Sequence, residues 1–351
     1  MKKSFFLMGM TLLVFLFQSC SKDNETNNDP EESEVLPEEQ ISDLEKKFIS
    51  IENAEYHDGS FPGATTERTL GGIDMSTYVM NGAINYITVI TEDNILKFFV
   101  GIKDVSGFLE YVPSSNTNSD ATGYKTYVLP VMISQSYMGN SVIVLSGQLE
   151  NGDITTPIEN EISYIETMPG EVEIKLAFSN SKDVDLHLYT PSGEHIYYAN
   201  RGGTYTTDEG DEISYGLDID SNADCKLDNI NKENIYIPSE LVEKGIYTVV
   251  VNMYSNCDPS IPTNWSVIAR YKGKVVVPTD GANPASGVYP AGAGYDDMTT
   301  VMTFAIEEEV PASRVRTRRI VPNSFRPIPV SDVDEMKEEE EEYRRHSLMN
   351  N

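Results

Sequence analysis

From Asp218 to Asp224 the chain reads Asp-Ile-Asp-Ser-Asn-Ala-Asp, with an oxygen-bearing side chain at every second position. Hard divalent cations take six to eight oxygen ligands at about 2.3 to 2.6 Å, and alternate residues of a curving loop can aim several carboxylates at one centre. Asp218, Asp220, Asn222 and Asp224 are therefore candidate Ca²⁺ ligands, with Asp228 and Asn234 close behind in sequence. Asp183 and Asp185, at the start of an alternating strand, would add two more carboxylates. Gathered like charges repel unless they are solvated or neutralised, so either a bound cation or open solvent must accompany them. The loop is not an EF-hand, because Ala223 stands where the sixth-position glycine belongs and no convincing helices flank it.

Cys225 borders this loop and Cys257 lies downstream, leaving Cys20 as the third cysteine. In an oxidising compartment an even pair reads as one disulfide, which would contribute about 3 to 4 kcal/mol by the chain-entropy argument; two buried free thiols are the alternative. Zinc is disfavoured, with two thiols and only His57, His187, His195 and His346 to draw on. His187 and His195 fall on the outer face of one hairpin as diagonal neighbours and are expected to be surface residues making ordinary contacts. No His-Glu-x-x-His helix, Gly-x-Ser-x-Gly elbow or phosphate-binding Gly-x-x-x-x-Gly-Lys loop occurs. Glycosidase carboxylates obey no spacing rule, and with 56 acidic residues abundance nominates no pair.

The elements that would hold these residues are strands. Val172, Ile174, Leu176 and Phe178 alternate with more polar neighbours, and Val184, Leu186 and Leu188 do the same. A three-residue loop with Gly193 left-handed sets Leu188 against Ile196 and keeps Ile196 inside; a shorter loop would turn it outward. Further runs fall at Val249 to Met253, Trp265 to Tyr271, Lys274 to Val277 and Met298 to Ile306. Upstream, Ile84 to Thr91 and Ile95 to Ile102 flank Glu92-Asp93-Asn94, which has hairpin chemistry, and Tyr124 to Ser134 and Ser141 to Gln148 follow. The expected fold is all-β, two β-sandwich domains of Ig-like or jelly-roll-like kind, over residues 48–155 and 160–307. Ser42 and Glu45 could close a capping box on a short helical turn before them.

The ends differ in kind. Lys2 and Lys3 precede an apolar run from Phe5 to Phe17, too short to span a bilayer, which gives a signal peptide over residues 1–19. Phe17-Gln18-Ser19-Cys20 resembles the bacterial lipobox, and Ser21-Lys22-Asp23-Asn24-Glu25 is similar to the export tag of Bacteroidota surface lipoproteins. The resemblance implies lipidation of Cys20 and a cell-surface place on the outer membrane. Residues 20–47 would then be an acidic, disordered tether. Residues 308–351 carry Arg314, Arg316, Arg318 and Arg319, then Glu338 to Glu342, and read as a charged tail, disordered or docking a partner. A net charge of −30 argues against nucleic acid as a ligand.

A second resemblance rests on Asp183-Val184-Asp185-Leu186-His187-Leu188, Pro191-Ser192-Gly193-Glu194-His195-Ile196-Tyr197-Tyr198, Leu217-Asp218-Ile219-Asp220, Glu233-Asn234-Ile235-Tyr236 and Gly245-Ile246-Tyr247-Thr248-Val249. These blocks resemble the YfaP-type bacterial domain over about residues 171–306, although Gly202-Gly203 is followed by an acidic insertion, Asp208 to Asp211. The resemblance implies an extracytoplasmic β-sandwich and no particular activity. More distantly the region is similar to β-sandwich modules of secreted peptidases, in which an acidic pair before a strand helps hold calcium. The expected function is a surface lipoprotein, a non-enzymatic binding or adhesion module for a glycan or protein, calcium-stabilised. Tyr197, Tyr205, Tyr215 and Tyr295 and the Asn264-Trp265 turn are candidate contact surface. The competing expectation is a hydrolase, or an accessory subunit of one, acting on surface polysaccharide or protein.

Overall fold

Period-two runs of apolar residues bury one face of a strand, and this chain builds two such cores in succession. The computed structural model describes residues 41–113, 118–119 and 123–307. The expected signal peptide, Cys20, most of the tether and the charged tail lie outside the described residues. Ser42 caps the Asp43–Lys47 helix, its Oγ accepting from Glu45 N while Glu45 Oε2 accepts from Ser42 N, each at 3.2 Å. That box holds Leu44 in the first core.

The first core runs from Leu44 to Ile162, between a five-stranded and a six-stranded sheet. The Ile158–Tyr164 strand pairs with Asn140–Leu149, adding to the N-terminal sheet residues that sequence reading left to the link and the second domain. Glu92-Asp93-Asn94 is not a hairpin turn. Ile84–Thr91 pairs with Lys125–Ile133, whereas Ile95–Ile102 pairs with Asn140–Leu149, so the connection arches from one sheet to the other. The Tyr127 hydroxyl accepts from Ile95 N at 2.9 Å and donates to Asp93 O, supplying the backbone partners that a facing strand would have given.

The second core lies between a seven-stranded and a five-stranded sheet, with Val172, Ile174, Leu176 and Phe178 facing Val184, Leu186, Leu188, Val249, Val251 and Met253. Leu188 pairs with Ile196 and Gly193 has φ +91°, which is the three-residue hairpin the alternation requires. The outer face of the Val172–Phe178 strand, which the alternation gives to more polar residues, is covered too. Lys175, Lys232 and Arg270, on adjacent strands of this sheet, are 3%, 1% and 6% exposed. Lys175 Nζ donates to Asn81 O and Oδ1, Lys232 Nζ to Asn85 Oδ1, and Arg270 Nη1 to Gly82 O, so a turn of the N-terminal sandwich sits on them.

Candidate metal centre

Asp185, Asp220 and Glu233 come from three different elements and converge. Each offers a carboxylate oxygen, all within 4.8 Å of one another. Asp185 lies on the Asp183–Tyr189 strand beside a register shift between Asp183 and Asp185. Such a bulge re-aims side chains locally, and here Asp183 and Asp185 are both buried. Asp220 follows the Glu212–Ile219 strand, which has its own register shift between Leu217 and Ile219. Glu233 stands on Lys232–Ile237 in phase with Ile235 and Ile237, which belong to the core, so it points between the sheets. The short His195–Ile196 strand covers its neighbour only as far as Leu188, and beyond that edge Leu186 N donates to Glu233 Oε2 at 2.7 Å.

Several buried side-chain atoms that have no hydrogen-bond partner among the described residues lie here. Asp183 Oδ1, Asp220 Oδ1 and Glu233 Oε1 are buried without a hydrogen-bond partner. Asn252, paired in register with Asp185 and 0% exposed, has neither amide atom bonded. Burial, joined by the charge of Asp220, pushes the Glu233 carboxyl well above the usual range. Burial likewise drives Asp183 up to about 7, and raises Asp220 against the lowering pull of Arg201. A polar group left unpaired in low dielectric is costly, and an ionised carboxylate more so. The donor set is oxygen throughout, which suits Ca²⁺ or Mg²⁺ rather than a thiophilic metal. Residues and cation fit: Asp185, Asp220 and Glu233 would hold it, with Asp183 and Asn252 adjacent.

Of the eight residues read from sequence as candidate ligands, the structure gathers Asp185 and Asp220, with Asp183 beside them. The others do structural work in the loop. Asp218 accepts from Met168 N and Asn234 Nδ2; Asp228 accepts from Ser221 Oγ, Asn222 N and Ile230 N. Asn222 accepts from Asp228 N and Asn229 N and donates to Lys182 O and Asn231 Oδ1. Asp224 lends its backbone N–H to Asp183 Oδ2 at 2.8 Å while its side chain is exposed. Cys225 and Cys257 form the expected disulfide, tying this loop to the end of the Gly245–Ser255 strand. Glu233 was missed, although an acid in phase with core positions two and four residues on was a visible signal.

His187 is not a surface residue. It is 0% exposed, its Nδ1 lies 3.0 Å from His195 Nε2, and the two rings stack with Tyr189 and Tyr197. Burial holds His187 well below its ordinary range, joined by His195, and brings His195 down to about 3. A hydrogen bond between them needs one ring nitrogen as donor and the other as acceptor. Elsewhere a cleft of about 230 Å³ is lined by Glu194, Thr204, Tyr205, Tyr215 and Glu243 among others. Ser192 donates to both oxygens of Glu243, and Tyr215 OH to Glu194 Oε1.

No family model matches the chain, and no curated protein matches it. Among solved structures, the C-terminal domain of the AgI/II polypeptide BspA of Streptococcus agalactiae is similar over 63% of this chain and 97% of that one. At 7% identity and a TM-score of 0.21, that likeness has no bearing on what this chain does.

Proposed function

We propose that this protein is a lipid-anchored, surface-displayed β-sandwich module that binds a glycan or protein without catalysis, its C-terminal sandwich stabilised by Ca²⁺. The observation that carries the calcium reading is the convergence of Asp185, Asp220 and Glu233 beside buried carboxylate and amide atoms with no hydrogen-bond partner among the described residues. The Cys225–Cys257 disulfide supports an oxidising, extracytoplasmic setting. The lipobox-like Phe17 to Cys20 and the YfaP-like blocks support anchoring and an extracytoplasmic sandwich. Half-exposed Tyr205 offers an aromatic contact surface of the kind that binding modules use.

The calcium reading is tested by thermal unfolding in chelator and in excess Ca²⁺: a rise in midpoint that Asp220→Ala removes is expected, and an unmoved midpoint refutes it. Display is tested by protease shaving of intact cells, with release from the membrane expected for Cys20→Ala. The hydrolase alternative would centre on Glu194 and Glu243 in the cleft. Polymer cleavage that is lost in Glu194→Gln would replace the binding reading.

A further inference from the structure

The stretch from Asp220 to Glu233 joins two places that bury charge. At one end Asp220 faces Asp185 and Glu233; near the other, Ser76 Oγ of the N-terminal sandwich lies 2.9 Å from both Asn229 O and Tyr78 O and shares its one proton between them. Lys232 and Glu233 are neighbours on one strand with side chains on opposite faces. Glu233 enters the anionic centre, and Lys232 Nζ reaches out to Asn85 Oδ1 at 2.9 Å and back to Ile230 O at 3.0 Å. Between them, Asn222 carries the connection. Its side chain fixes Asp228, Asn229 and Asn231 together, and Ser221 Oγ takes Asn231 N.

This link is held in a backbone conformation that depends on its surroundings. Asn222, Asp224, Cys225, Asn229 and Asn231 all have positive φ, between 53° and 61°, a conformation that L-residues adopt at a cost and keep only when surroundings hold it. Without a cation the gathered carboxyls of Asp185, Asp220 and Glu233 must either take up protons or repel one another, and Asp220 is the one carried by a loop. Displacing Asp220 shifts Ser221 and Asn222, and through them the Asn229 carbonyl that Ser76 uses.

We infer that cation occupancy at Asp185, Asp220 and Glu233 governs how firmly the two sandwiches dock, through the segment from Ser221 to Lys232. The inference rests on the calcium reading above and adds to it a mechanical consequence. Coupling of this kind is reciprocal: whatever the cation does for docking, docking does for cation affinity by the same factor. The N-terminal sandwich thus belongs to the metal centre energetically while contributing no ligand to it.

The test is a calorimetric titration of Ca²⁺ into chelator-treated full-length protein, in the wild type, in Asn85→Ala and in Arg270→Met. Arg270 docks through Nη1 on Gly82 O, and it stands on the Thr263–Tyr271 strand outside the linking segment. Both variants are expected to bind Ca²⁺ about fivefold or more weakly, the lower end of ordinary allosteric coupling. A second measurement needs no interface variant: spin labels at Leu96→Cys and Val277→Cys, 47% and 86% exposed, in a Cys20→Ser background. Ca²⁺ is expected to narrow their distance distribution. Wild-type binding with equal affinity in the variants and an unchanged distribution would overturn the coupling and leave the calcium site standing. Absence of any binding heat in the wild type would overturn both.

Discussion

The C-terminal sandwich buries positive charge on one side and negative charge on another, and it treats them differently. On the outer face of the larger sheet, Lys175, Lys232 and Arg270 each donate to a carbonyl or amide oxygen of the turn spanning Asn81 to Asn85. The cations lack a carboxylate partner there but not hydrogen bonds, and bonds to charged groups contribute about 1.5 to 3 kcal/mol each. At the anionic centre Asp183, Asp220 and Glu233 each keep one buried oxygen without a hydrogen-bond partner among the described residues. A second sandwich of the same chain completes the first region. The second region must be completed by something from outside, a proton or a cation.

The largest expected effect follows from protons. Asp183 and Glu233 have folded pKa values raised by burial, so below their unfolded values near 4 their contribution is fully present, and it is lost as pH rises through the folded values. In chelator, stability should therefore fall from pH 4 to about 7, by up to about 1.4 kcal/mol per pH unit per group. Lys232, brought down to about 7 by burial, does the reverse: it binds fewer protons folded than unfolded, and stability should climb above pH 7. Near pH 10 the buried tyrosines Tyr86 and Tyr247, pushed up to about 12, turn the curve down again. Unfolding midpoints across pH check both limbs: Glu233→Gln should flatten the acid limb and Lys232→Met the alkaline one. A single bell with neither limb altered would mean the two regions are not titrating as charge.

Calcium should erase the difference. A site that binds only the folded state adds about 2.7 kcal/mol at 100 times its dissociation constant. Because the cation needs ionised ligands, its effect should grow between pH 5 and 7, opposing the acid limb. Midpoints in excess Ca²⁺ should rise in the wild type and stay unmoved in Glu233→Gln. Mg²⁺ in place of Ca²⁺ sharpens the assignment, since Mg²⁺ demands near-octahedral geometry and keeps its waters.

How much of this was legible in the sequence differs between the two regions for a physical reason. Alternation placed Leu188 opposite Ile196 and put Val172 to Phe178 into the core, because period-two patterning fixes faces and register locally. It also put Asp185 and Asp220 on the list of ligands. Alternation says which residues share a face and not what covers that face, so Lys175 looked like a solvent residue until the N-terminal turn was seen upon it. The same limit hid the arch at Asp93, where Tyr127, more than thirty residues on, replaces a strand partner. Glu233 and Asn252 escaped because the centre is assembled across two sheets, and spacing alone does not separate Asp185 and Asp220 from Asp218 and Asp228, whose carboxylates accept hydrogen bonds within the loop and its neighbours.

A smaller effect tests the cationic side. Gly82 has φ +65°, and a Cβ there would meet the Arg270 guanidinium at 2.8 Å. Gly82→Ala should cost about 1 to 2 kcal/mol from the left-handed backbone alone, and the displaced arginine weakens docking besides. Denaturant titration of the variant should show a lowered midpoint, with the slope unchanged if the two sandwiches still unfold together. A split into two transitions would show that this contact is what joins them.

The smallest effect isolates an ion pair at the anionic centre that reaches solvent. Arg201 Nη1 lies 3.3 Å from Asp220 Oδ2, and the arginine side chain is half exposed. In chelator its loss should cost under about 1 kcal/mol, as expected for a pair screened by water. In calcium the sign should reverse. A guanidinium beside a ligand oxygen repels an incoming cation and occupies a lone pair, so Arg201→Ala should bind Ca²⁺ more tightly than the wild type while being slightly less stable without it. Calorimetric affinity set beside chelator midpoints separates the two signs. If the variant loses in both conditions, Arg201 is holding Asp220 in place for the cation, and the anionic centre has, like the cationic face, a partner supplied by its own chain.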